Sequence, residues 1–167
     1  MDFHQEFTLL GFEDQDDVAG GLILCALRSY PREHGLETAA LAARYVGGGV
    51  VLAMDVAGFE GGFPLNCADD AMDAGVRAAA RAGVPVTVHA GECPDWKFGT
   101  VENVKHAVDE LSAARIGHGI ALGRHLDVAR RYAQLGKPTI EVCFSASSGQ
   151  NADPFALIIK SIILRFA

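Results

Sequence analysis

Five short apolar runs punctuate the chain: "LILCAL" from Leu22, "VVLAMDVA" from Val50, "VPVTVHA" from Val84, "RIGHGI" from Arg115 and "PTIEVCF" from Pro138. They are apolar on both faces instead of alternating, the pattern of parallel strands covered by helices. Their starts fall roughly 23 to 34 residues apart, the pitch of a strand, a helix and two loops repeated. The segments between them read as helices. "LETAALAARYV" from Leu36, "ADDAMDAGVRAAARAG" from Ala68 and "RHLDVARRYAQLG" from Arg124 are rich in alanine and leucine, and the last two stop at Gly83 and Gly136. In "TVENVKHAVDEL", Thr100 can cap the start, while Val101, Val104, Val108 and Leu111 share one face. The pattern predicts an α/β fold of parallel (β/α) units.

Gly47 to Gly49 and Gly58 to Gly62 are turn clusters between elements, and no low-complexity tract or linker interrupts residues 1–167. A single domain follows. The formal net charge of -7 argues against nucleic acid or an anionic membrane as partner and leaves small neutral or cationic ligands open. The start, "MDFHQEFTLLGFEDQDD", is acidic and interrupted, unlike a signal peptide, so a cytoplasmic setting is expected. "FALIIKSIILRFA", broken by Lys160 and Arg165, is too short to span a bilayer. Cys25, Cys67, Cys93 and Cys143 form no CxxC pair, so reduced thiols are expected; Cys25 and Cys143 fall inside predicted strands, where cysteine serves as a small hydrophobe.

Parallel α/β folds bind ligands at the carboxyl ends of their strands. Here those tips read Arg28, "DVAGFE" (Asp55 to Glu60), "HAGE" (His89 to Glu92), "GHG" (Gly117 to Gly119) and "CFSASS" (Cys143 to Ser148). His89 would emerge at the mouth of the sheet, where a neutral ring nitrogen can bind zinc. Glu92 follows one tight turn later; partial shielding from water would raise its pKa and suit it to proton delivery. His118, on the next strand, could face the same point and serve as a base. Each has an ordinary structural reading as well. A strand-end histidine can be a satisfied structural residue, "GHG" a glycine-bracketed turn, and Glu92 a helix-start carboxylate. His106 lies off its helix's apolar stripe and is expected in solvent, His125 stands near a helix start, and no function attaches to either or to Cys67.

Taken together, "MDVAGFE", "VTVHAGE", "RIGHGI" and "IEVCFSAS", in this order, resemble the adenosine deaminase family from the third to the seventh strand of its (β/α)8 barrel. The resemblance runs from about Ala19 to about Phe166. It implies that His89 is a ligand of one zinc ion, that Glu92 protonates N1 of the purine, that His118 orients or deprotonates the attacking water, and that the Gly58 backbone meets purine N3. The implied reaction is zinc-dependent hydrolysis of adenosine or deoxyadenosine at C6, giving inosine and ammonia. A purine nucleoside is then the small-molecule partner. Adenine or an N6-substituted AMP is the alternative substrate within the family, and a non-catalytic, purine-binding remnant the alternative outside catalysis. A Cys93 hydrolase partnered by His118 is disfavoured, since a glutamate neighbour does not activate a thiol.

The family also carries an HxH pair on its first strand and an Asp-Asp pair at the tip of its eighth, and neither stands in this sequence, whose histidines before His89 are His4 and His34. Phe59 replaces a common acidic residue, "CFSASS" departs from cysteine-proline-x-serine-asparagine, and Asp153 stands where many members have histidine. These departures lead to the expectation of an incomplete (β/α)8 barrel with two unpaired sheet edges. With His89 as its lone family zinc ligand, the polypeptide by itself is expected to bind zinc poorly and to deaminate adenosine weakly or not at all.

Overall fold

The computed structural model describes residues 21–48, 50–65, 71–92 and 100–141, without the side chains of Arg32, Ala71 and Thr100. The "CFSASS" loop, the segment from Asp153 onward, Cys67, Cys93 and the capping role of Thr100 lie outside what is described.

Five strands form: β1 (Leu22–Leu27), β2 (Val51–Ala57), β3 (Val86–Ala90), β4 (Arg115–His118) and β5 (Thr139–Glu141). All pairings are parallel and the sheet order is β1-β2-β3-β4-β5. An order that never reverses, joined by right-handed crossovers, puts every helix on the same face, as in the wall of a barrel. A doubly wound sheet would show a reversal. The helices are α1 (Arg32–Tyr45), α2 (Ala71–Arg81), α3 (Thr100–Lys105) and α4 (Leu126–Leu135). No helix among the described residues is long and apolar enough to cross a membrane.

The strand register separates two faces of different character. Met54, Val56, Val88 and Ile116 are fully buried beneath Ala39, Ala42, Val76, Val104 and Tyr132 of the helices. The opposite face carries a polar row, Cys25, Asp55, Thr87, Arg115 and Thr139, each paired with the next across the sheet. A second row, nearer the carboxyl ends, joins His89, Gly117 and Glu141. The expectation of strands apolar on both faces therefore holds in full for the helix side, while the other face mixes this polar row with apolar residues such as Ile23 and Ala53. Cys25 is exposed on the polar face and does not serve as a core residue.

Boundaries shift for local reasons. β3 starts two residues after Val84, because Pro85 has no N–H for the ladder, although its carbonyl accepts from Met54 at 2.9 Å. β4 ends at His118, where positive φ at His118 (67°) and Gly119 (62°) turns the chain into a 3-10 turn over Ile120–Arg124. That turn displaces the start of α4 to Leu126, with His125 at its cap. α1 starts before the expected Leu36, directly after Pro31. α3 runs on through a π-type turn, His106–Glu110, closed by Leu111 N–H to the His106 carbonyl at 3.1 Å. Gly83 and Gly136 end α2 and α4 as expected. His106 is not in open solvent: it is partly buried and its Nε2 lies 2.5 Å from Asp73 on α2.

Candidate active site

The carboxyl end of the sheet gathers ionisable groups that begin with His89. Alternation along β3 puts Val88 under the helices and His89 on the polar face, half buried. Its Nδ1 lies 3.0 Å from Oδ1 of Asp55 on β2. A neutral imidazole that donates from Nδ1 to a carboxylate keeps the Nε2 lone pair for another partner, the arrangement common among metal-binding histidines. The hydrogen bond to Asp55 pushes the His89 pKa up, and the charge of Asp55 adds to it against the opposing effect of burial. Gly117 makes room for this ring: a Cβ there would stand 2.9 Å from His89 Cγ.

His118 is opposite Ala90 in the register, so strict alternation would send it toward the helices. Its left-handed backbone reorients it, and its ring meets that of His89 edge-on with centroids 5.3 Å apart. Burial drives its pKa down, against the nearby charge of Glu92, so the ring is neutral at neutral pH. Its Nδ1 is buried without a hydrogen-bond partner among the described residues. Its Nε2 lies 3.6 Å from Oε1 of Glu92, too far for a good hydrogen bond.

The structure thus brings His89, His118 and Glu92 together. Gly58 occupies the neighbouring tip of β2 with φ of 110° and an exposed surface, beside the hydrogen bond from Arg28 N–H to the Ala57 carbonyl at 2.9 Å. Among the described residues no three His, Cys, Asp or Glu side chains are grouped so as to hold a metal ion. The described residues therefore do not by themselves make up a zinc site, and His89 offers it one ring nitrogen.

Sequence reasoning placed Arg28, Asp55 and Glu60 at strand tips without giving them work. The Arg28 guanidinium is buried, donates to the Phe63 carbonyl at 3.1 Å and also to the His89 carbonyl, tying the ends of β1 and β3 to the loop after β2. The signal for Asp55 was an acid inside an apolar run. Asn103, fully buried on α3, gave none, because it stands off the valine stripe.

The adenosine deaminase family model matches residues 11–152. The chain belongs to the adenosine deaminase family. Among curated members it is 35% identical over 136 residues to the adenosine deaminase of Clostridium kluyveri, covering 81% of this chain and 36% of that protein. With the adenosine deaminase of Clostridium acetobutylicum it shares 34% over 141 residues, covering 83% and 39%. The chain spans less than half the length of these relatives. Among solved structures, a zinc-containing amidohydrolase from Burkholderia ambifaria superposes with a TM-score of 0.72 at 21% identity, covering 96% of this chain and 44% of that one. An adenine deaminase from Arthrobacter aurescens does so at 0.66 and 23%, covering 86% and 41%. At such identities the likeness speaks for the fold alone, and the five-stranded sheet is a segment of a (β/α)8 barrel wall. The family is one of metal-dependent deaminating hydrolases.

Proposed function

We propose that this chain is the central part of a zinc-dependent deaminase that hydrolyses adenosine or deoxyadenosine to inosine and ammonia, with His89 as zinc ligand, Glu92 as proton donor, His118 as base and the Gly58 backbone against the purine. The observation that carries the reading is the convergence of His89, His118 and Glu92, at 5.3 and 3.6 Å, at the carboxyl end of adjacent strands. Zinc, when bound, supplies a Lewis acid that lowers the pKa of water. A lowered pKa keeps His118 able to accept a proton at neutral pH, while the Glu92 side chain, about one-third exposed, is placed to reach a ring nitrogen of a substrate at the strand tips. The curated relatives named adenosine deaminase favour an uncharged nucleoside over an N6-substituted AMP.

Ammonia release from adenosine, adenine and an N6-substituted AMP, measured with and without added zinc, tests this. Adenosine should be preferred. Turnover should need zinc in the assay and vanish after dialysis against a chelator, because a single histidine holds the ion weakly. Glu92→Gln should lower the rate by about 100-fold or more, the usual contribution of a general acid. No turnover of any purine with zinc present would sink the reading; binding of inosine, by titration calorimetry, would then mark a purine-binding remnant.

A further inference from the structure

We propose that Glu60 is a positioning residue for the proton donor: its carboxylate, oriented by Asn103, fixes the Gly91–Glu92 turn and so sets where the Glu92 carboxyl stands against His118. This rests on Glu92 being the donor, as argued above. Glu60 lies in the turn after β2 and is only 3% exposed, while Asn103 on α3 is fully buried. Glu60 Oε1 accepts from the Gly91 backbone N–H at 2.8 Å and from Asn103 Nδ2 at 2.9 Å, and Oε2 accepts from the Glu92 N–H at 3.0 Å. The two backbone amides of the turn are thus held by two oxygens of one rigid, planar group. Hydrogen bonds to an ionised acceptor are short and strong, so this grip is stiffer than one made through a neutral amide.

The rest of the turn has no slack. The Gly91 carbonyl accepts from Ala121 N–H at 2.9 Å. Gly91 has φ of 70°, and a Cβ there would stand 2.8 Å from Val104 Cγ2 and 3.2 Å from Ala121 Cβ. The loop after β2, helix α3 and the turn after β4 therefore close on one peptide unit. The Glu92 side chain, 35% exposed, projects from that unit toward His118 at 3.6 Å. An apolar pair in place of Glu60 and Asn103 would avoid the cost of burying a carboxylate. What such a pair would lack is the two acceptors that fix the direction of residue 92.

The test uses the full chain with zinc and compares Glu60→Ala, Glu60→Gln and Asn103→Ala with wild type. Amide hydrogen exchange by NMR should show Gly91 and Glu92 exchanging about 100-fold faster in Glu60→Ala while Val88 and Ile116 keep their protection, as local opening without global unfolding requires. Misplacing a reacting group by about 1 Å costs on the order of 100-fold, so kcat on adenosine should fall by about that factor with KM within about threefold. Glu60→Gln, which keeps one acceptor oxygen, should recover part of the rate, and Asn103→Ala should fall between it and wild type. Unchanged exchange at Gly91 and Glu92 in a folded Glu60→Ala would overturn the clamp. Loosened amides with kcat unchanged, or a loss confined to KM, would overturn the positioning role. If Glu60→Ala does not fold, the same readouts on Glu60→Gln and Asn103→Ala decide it. If wild type turns over no purine, Glu92 loses its role as donor, yet exchange at the two amides still decides whether Glu60 holds the turn.

Discussion

His89 owes its chemistry to two neighbours far from it in sequence. Asp55 fixes which ring nitrogen faces outward, and Gly117 supplies the space the ring occupies. Replacing Asp55 with Asn keeps the volume and loses the carboxylate acceptor, so zinc affinity should fall about 10- to 100-fold, the usual effect of losing such a partner. Titration against a competing chelator would measure it, and unchanged affinity would show that Asp55 does not orient the ring. Gly117→Ala should push the imidazole aside, since the added methyl would sit 2.9 Å from Cγ and 3.0 Å from Cδ2. The result expected is weaker zinc binding in a protein whose helices, by circular dichroism, are intact. Of these residues, His89, Glu92 and His118 were legible as ordered motifs. Asp55 was visible as an acid at a strand tip, but its bond to His89 spans 34 residues and depends on strand pairing.

At the scale of elements, α3 and its π-type turn meet α4 through Asp109. The carboxylate takes two hydrogen bonds from Arg131, at 2.9 and 3.0 Å, and one from the Tyr132 hydroxyl at 3.2 Å. Although the arginine pair looks the stronger, the Arg131 guanidinium is exposed, and ion pairs of such groups add little to stability. Tyr132 is buried and its hydroxyl donates to a carboxylate, a hydrogen bond whose loss should cost about 1 kcal/mol. Tyr132→Phe should therefore destabilise the fold in urea more than Arg131→Ala, and the reverse order would make the arginine the anchor. Burial, then the Asp109 charge, pushes the Tyr132 pKa up to about 12 from 10.0. The folded state thus holds this proton longer than the unfolded chain. Its contribution is full below pH 10.0 and fades toward about 12, a fade absent in Tyr132→Phe.

Across the molecule, the paired histidines should shape stability in opposite senses around their ordinary value of 6.5. His89 binds its proton more tightly when folded, so its stabilisation is complete below 6.5 and is lost as pH rises through its raised pKa. His118 resists protonation when folded, so stability falls as pH drops from 6.5 through its lowered pKa. In metal-free protein, urea midpoints across this range should therefore decline less on the alkaline side in Asp55→Asn and less on the acid side in His118→Gln. Parallel curves for wild type and both variants would refute the linkage.

Local sequence determined the elements and their kind: apolar runs at strand length, alanine-rich helices ended by Gly83 and Gly136, and polar groups concentrated at the strand tips. These follow from side-chain chemistry and backbone preference within a few residues. Strand pairing decided the rest. Which face of each strand is polar, why His118 turns back toward His89, and how Glu60 and Asn103 reach the Gly91–Glu92 turn depend on groups tens of residues apart brought within about 3 Å, the range at which hydrogen bonds act. A run such as "VLAMDVA" reads as uniformly apolar, and its acid acquires a role only when β3 lies beside it and offers His89 a partner.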